Sequence, residues 1–150
     1  MAAPSAWRFY NGFSELSMDG TIDLDTHAFR MALFLSTSNA ATLSTVGYTN
    51  LTNEVAQAYG YLTTGKALTP TWNRSVGTTT FDADDQVWTA SGGSITARFA
   101  VIYDNTSTNK DLVCYSLLDT APADVTATDG NTLTIAFHSS GCFTFTPPTA

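Results

Sequence analysis

Ser94-Ile95-Thr96-Ala97-Arg98-Phe99-Ala100-Val101-Ile102-Tyr103-Asp104 decides how the rest of the chain is read. At period 2, Ile95, Ala97, Phe99, Val101 and Tyr103 share one face, while Thr96, Arg98, Ala100 and Ile102 share the other. That is the pattern of a long strand with one fully apolar face. At about 3.3 Å per residue it would run ~30 Å, enough to cross a small domain. Turn chemistry bounds it on both sides, Ser91-Gly92-Gly93 before and Asp104-Asn105-Thr106-Ser107 after. The stretch is therefore expected to be the central core strand, with other strands pairing and stacking around it.

Upstream, residues 27–35 alternate in the same way, Ala28, Arg30, Ala32 and Phe34 standing opposite Phe29, Met31, Leu33 and Leu35. Residues 66–73 read as a strand that Pro70 places at a sheet edge or a bulge. Residues 78–81 and 86–90 are short strands either side of Asp82-Ala83-Asp84-Asp85. Downstream, residues 111–118 and 123–127 are strands. Asp129-Gly130 is a hairpin signal from which residues 131–138 return, with Leu133, Ile135 and Phe137 facing the core. Residues 142–145 form the last strand.

Toward the N-terminus, Tyr10, Phe13 and Leu16 are spaced three apart and predict a short helix ending near Asp19-Gly20. Thr21-Ile22-Asp23-Leu24-Asp25 predicts a short edge strand whose outward Asp23 and Asp25 discourage further pairing. Residues 36–45 are a polar loop. Thr52 followed by Glu54, Val55, Ala58 and Tyr59, closed by Gly60, predicts one or two helical turns. About eight strands, frequent turns and no internal repeat make the expected fold all-β. It is read as one antiparallel β-sandwich domain over residues 1–150, a jelly roll in the first instance, with short flexible arms at residues 1–6 and 145–150. An immunoglobulin-like winding has the same strand count and patterning.

The composition agrees. Of 150 residues, 43% are hydrophobic and 12% aromatic, enough for a core, and only 13% are charged. Thr supplies about one residue in six and favours strands. Low charge with many aromatics also points to extensive contact with other protein surfaces. The net charge is −7, and the six Lys and Arg are scattered singly, which argues against a nucleic-acid partner. No apolar run is long enough to span a bilayer, and the start of the chain lacks the features of a signal peptide, so synthesis in a cytoplasm is expected. Cys114 and Cys142 both fall in predicted strands. They are read as small buried thiols, with a cross-strand disulfide as the other reading.

Candidates for chemistry are few. Asp82-x-Asp84-Asp85 resembles the start of a calcium loop but lacks the following Gly and the distal Glu, so it reads as a solvated acidic turn. Asp23-x-Asp25-x-His27 would align three ligand types on one strand face, and two outward carboxylates at an edge explain it as well. There is no Gly-x-Ser-x-Gly elbow and no Gly-rich phosphate loop before a helix. Cys142 and His138 are close in sequence without an evident third group. The expectation is a non-enzymatic protein with no catalytic residues, no metal and no cofactor. Trp72, Trp88, Tyr59, Tyr61, Tyr103 and Tyr115 are read as core and rim, with a carbohydrate-stacking platform as the alternative.

Several pieces in order carry a resemblance. They are Trp7-Arg8-Phe9-Tyr10-Asn11-Gly12-Phe13, Gly20-Thr21-Ile22-Asp23-Leu24-Asp25 and Phe29-Arg30-Met31-Ala32-Leu33-Phe34. They continue with Leu51-Thr52-Asn53-Glu54-Val55, Gly60-Tyr61-Leu62-Thr63-Thr64-Gly65-Lys66-Ala67-Leu68, Trp88-Thr89-Ala90, the stretch quoted first, and Leu112-Val113-Cys114-Tyr115. Together they resemble a family of small structural proteins of tailed bacteriophages, the jelly-roll capsid cement or decoration proteins. Thr64-Gly65-Lys66 stands where a Gly-Gly pair is expected. The resemblance implies a protein on the outer surface of the virion capsid that bridges major capsid subunits of the expanded head. It also implies self-association, as a homodimer before a homotrimer. The contact residues expected from the sequence are Trp7, Phe9 and Tyr10, an apolar cluster beside the chain end. Other readings are a glycan-binding accessory module of a tail or fibre, and a low-copy tail or head–tail connector component.

Overall fold

In the computed structural model, which describes residues 6–121 and 123–149, the deciding stretch forms two strands instead of one. In chain order the elements are β1 (Arg8–Phe9), α1 (Phe13–Met18), β2 (Phe29–Phe34), a 3-10 turn (Tyr48–Asn50), β3 (Lys66–Ala67), β4 (Pro70–Ser75) and β5 (Thr78–Ala83). Then come β6 (Gln86–Thr89), β7 (Ile95–Ala97), β8 (Phe99–Asp104), β9 (Leu112–Leu117), β10 (Val125–Ala127), β11 (Thr132–Ile135) and β12 (Phe143–Phe145). The fold is all-β and its pairings between strands are antiparallel. A five-stranded sheet has the order β1-β9-β8-β2-β3, and three short sheets are β12-β5-β4, β11-β6 and β10-β7.

The break falls at Arg98. Its N–H donates to Phe34 O (2.8 Å) and its carbonyl accepts from Leu118 N–H (3.0 Å), so it joins the larger sheet while β7 pairs elsewhere. One residue taken out of the alternation reverses the phase, as at a bulge. Ala100 and Ile102 therefore face the same core as Ile95 and Ala97, whereas Phe99, Val101 and Tyr103 face a second one. The single apolar face expected for residues 94–104 is corrected accordingly.

The main core lies between the five-stranded sheet and the three short ones. Phe29, Met31, Leu33, Ile102 and Val113 meet Phe81, Trp88, Ile95, Leu133 and Ile135 there. The second core lies on the other face of the large sheet. Ala32, Phe34, Val101, Tyr103, Leu112 and Tyr115 pack with Tyr10 and Ala40, and Tyr48 and Leu51 cover them. The large sheet is thus buried on both sides, which is why β2 and β8 are apolar almost throughout.

Glu54 pins the loop before β3 to this sheet. Its carboxylate accepts from Tyr61 OH (2.6 Å), Thr64 N–H (2.8 Å) and Tyr48 OH. Tyr61 OH in turn accepts Leu33 N–H (2.9 Å), and Tyr103 OH donates to Thr64 O (2.9 Å). These bonds occupy polar groups that would otherwise be stranded at a buried face. Residues 52–60 therefore form no helical turn. Glu54 bridges Phe34 as an isolated strand residue, and the 3-10 turn lies earlier.

Other expectations are corrected in the same register. Residues 21–25 are a turn and not an edge strand, because Asp23 Oδ1 accepts Asp25 N–H (2.9 Å) and Thr26 N–H (3.1 Å). Residues 66–73 split into β3 and β4, with Pro70 opening the edge strand β4. At Asp129-Gly130 the chain does turn, Asn131 N–H reaching Thr128 O (2.9 Å), but β10 pairs with β7 and β11 with β6, so no hairpin follows. Of the expected arms, Phe145 is a strand residue paired with Thr79. Residues 1–5 and 150 lie outside the described residues.

The β4–β5 hairpin turns through Val76 and Gly77, with φ of 46° and 82°, between paired Ser75 and Thr78. Two left-handed residues in a two-residue loop favour Asn-Gly, and a β-branched residue is strained there. Val76 is fully exposed, and nothing in the fold calls for its side chain. Val76→Asn is expected to raise stability by about 1 kcal/mol. The check is the urea midpoint at constant slope, and an unchanged midpoint would contradict the strain.

Candidate functional site

Two sheet edges meet through aromatic rings. β1 pairs with β9 alone and β12 with β5 alone, so each ends its sheet. Phe9 of β1 stacks on Phe13 of α1 with ring centroids 4.8 Å apart, and Phe143 of β12 stands edge-on to Phe9, also at 4.8 Å. Phe143 stacks on Phe81 of the main core at 5.0 Å, which anchors the cluster inward. The helix is placed by Leu16, whose carbonyl accepts Ile22 N–H (2.8 Å) while its side chain packs on the main core.

These elements leave a groove of about 540 Å³ whose main walls are Phe9, Phe13, Met18, Trp72, Phe143 and Phe145. Among the described residues no charged side chain lines it. Met18 is 79% exposed and Phe145 54%, large apolar groups facing water. A smaller hollow of about 320 Å³ shares Ser17, Leu24 and Trp72 with the groove and adds Asp23 and Asp25. The Asp23 carboxyl is held below the usual range by its hydrogen bonds from Thr26 and Asp25, so it is a carboxylate at neutral pH. The site is thus an apolar trough with a negative end. Such an arrangement accepts an extended or helical protein segment that is apolar with a basic flank.

The residues expected from the sequence are divided by the fold. Phe9 is in the groove at 40% exposure. Tyr10 is buried at 2%, its OH donating to Ala40 O (2.5 Å), so its ring belongs to the second core. Trp7 is half-buried and stacks on Phe137 at 5.5 Å, away from the groove lining. Met18, Trp72, Phe143 and Phe145 were missed. For the last two, the alternation Phe143-Thr144-Phe145 was a visible signal of two rings on one face.

The remaining candidates are structural. Asp82 Oδ1 accepts Ala83 N–H and Asp85 Oδ1 accepts Phe137 N–H, both at 2.9 Å, which ties the acidic turn down. His27 Nδ1 is 2.6 Å from Asp104 Oδ2, and Asp104 also accepts Thr106 N–H (2.8 Å). Among the described residues no three His, Cys, Asp or Glu side chains converge as metal ligands. His138 Nδ1 accepts Ser140 N–H (3.0 Å) at the surface, whereas Cys142 is buried. Trp88, Tyr61, Tyr103 and Tyr115 are buried, which leaves Tyr59 and part of Trp72 and no stacking platform from those six. No described helix is long and apolar enough to cross a membrane.

No family model, curated protein or solved structure matches the chain.

Proposed function

We propose that this chain is a non-enzymatic capsid cement protein of a tailed bacteriophage, wound as a jelly roll and seated on the outer surface of the expanded head. The observation that carries the reading is the uncharged aromatic groove between two unpaired sheet edges, with its acidic end. A cement protein needs a broad apolar and hydrogen-bonded contact and no chemistry. It stabilises a shell by mass action, because it binds only the assembled state. The groove supplies apolar anchors for a segment of the major capsid protein, and Asp23 and Asp25 supply a place for a basic residue of that segment. An acidic chain is also repelled by the packaged genome. The resemblance in the sequence supports the same reading, including self-association as a dimer.

The test is the copy number of the protein in purified virions relative to the major capsid protein. A ratio near one or another simple fraction is expected. A handful of copies would point to a tail or connector component, and absence from particles would overturn the proposal. The site itself is tested with the double variant Met18→Ser and Phe145→Ser. Both side chains face water, so the fold is expected to stand while affinity for expanded heads falls at least about tenfold, the loss of roughly 1.4 kcal/mol. Unchanged occupancy on heads would move the contact elsewhere on the surface.

A further inference from the structure

We propose that Cys114 and Cys142 form an oxidative modification site, a dithiol that closes to an intramolecular disulfide and staples the five-stranded sheet to the sheet containing β12. They are the chain's two cysteines, both are buried in the main core, Cys114 on β9 of the five-stranded sheet and Cys142 next to β12, and Cys142 is near enough to raise the Cys114 thiol. Cys114 lies on β9, opposite Phe9 on one neighbour and Ile102 on the other. Cys142 is held just before β12 by its N–H to Phe81 O (2.9 Å). Both are reduced here. Cys114 is paired opposite Phe9 and Cys142 precedes Phe143, whose rings meet edge-on, so a disulfide would tie together the two segments that carry these rings.

The chemistry is thiol–disulfide exchange with a small disulfide such as oxidised glutathione. The Cys142 thiolate attacks one sulfur, forming a mixed disulfide and expelling one glutathione thiolate. The Cys114 thiolate then attacks the Cys142 sulfur and expels the second. The two protein thiols lose two electrons and two protons, and the oxidant gains them as two glutathione thiols. Burial, with Cys142 beside it, pushes the Cys114 thiol well up, so little thiolate is present in the closed fold. Cys142, 8% exposed and next to a three-residue edge strand, is the sulfur that an oxidant reaches first when that edge opens. Closure is therefore slow in the native state and permanent in a non-reducing medium.

The inference does not depend on the reading above, because it is tested on the isolated protein. Reduced full-length chain is incubated with oxidised glutathione a few degrees below its melting temperature. Thiols are then titrated, the intact mass is measured, and melting is followed with and without reductant. Both thiols are expected to disappear together with the loss of two hydrogens. The melting temperature should rise by about 10 °C for a ring of this span, and reductant should reverse the gain. Cys142→Ser, treated the same way, should keep a free Cys114 and show no gain. A persistent glutathione adduct, disulfide-linked dimers, unreacted thiols or a lower melting temperature after oxidation would each overturn the proposal.

Discussion

Gly65→Ala is expected to destabilise the protein by about 4 kcal/mol or more, enough to leave much of the expressed chain insoluble. Gly65 has φ +68°, and a Cβ built on it would lie 1.8 Å from Met31 O and 2.7 Å from Ala32 Cα. Both are backbone atoms of β2, which is paired on both sides and buried on both faces. Neither can give way, so the loop must. Moving it breaks Arg30 Nη2–H to Gly65 O (2.7 Å), Arg30 Nε–H to Thr64 O (2.9 Å) and Tyr103 OH to the same carbonyl, and it strains Glu54 on Thr64 N–H. The left-handed backbone alone accounts for only about 1–2 kcal/mol of this. Gly130→Ala separates the two causes, because Gly130 has φ +81° with nothing within 4 Å of its Cβ position. Denaturant midpoints should therefore show the first variant losing at least twice what the second loses. Equal losses would mean that the loop yields and does not pin the sheet.

That loop also shows what was readable in the chain and what was not. Gly60 to Leu68 is one continuous piece of sequence, yet its role as a clamp depends on Glu54, Arg30 and Tyr103, which are polar groups closing over a distance no periodicity encodes. Alternation was reliable wherever a strand kept one phase. The two faces of residues 29–34 and the inward Leu133 and Ile135 stand as read. It failed at Arg98, where a single residue reversed the phase of the central stretch. An Arg at a mixed-face position looks the same whether it points to water along a strand or joins two sheets. The Asp129-Gly130 turn was legible for a related reason and its pairing was not, since turn chemistry is local and the choice of partner strand is global.

The groove was only partly legible. The opening aromatic cluster lies at the end of the molecule that holds the groove, but Phe9 alone of its three expected contacts lines the trough with an exposed face. Tyr10 was indistinguishable in sequence from its neighbours, and its burial follows from β1 being the edge of a sheet with a core on each side. The opposite wall comes from Trp72 on β4 and from Phe143 and Phe145 on β12, segments distant from Phe9 in the sequence. Their approach depends on which sheet edges lie together.

The tyrosines that fill these cores make the protein alkali-labile, and above about pH 10 stability is expected to fall by roughly 4 kcal/mol per pH unit. Tyr10, Tyr61 and Tyr103 are 2%, 1% and 0% exposed. Burial pushes all three phenols above their ordinary range. The Glu54 carboxylate adds to the effect at Tyr61, as Cys114 and Tyr115 do at Tyr10. In the unfolded chain each titrates near pH 10, whereas in the fold it keeps its proton. Above pH 10 the unfolded state therefore binds fewer protons than the native one, and stability declines with rising pH; below it the contribution is fully present. Each tyrosine that ionises only on unfolding steepens the decline by about 1.4 kcal/mol per pH unit, and three together give about 4. Against a total of about 5–15 kcal/mol, cooperative unfolding is expected within about one to four pH units. Circular dichroism and phenolate absorbance followed together should change in one step, because the phenols lose protons only as the cores open. Tyr10→Phe should flatten the slope by about a third, since its OH serves one carbonyl, that of Ala40. Phenolates forming near pH 10 with the dichroism intact would show the opposite, that water reaches these hydroxyls in the folded protein and the two cores are not the dry layers from which the groove is hung.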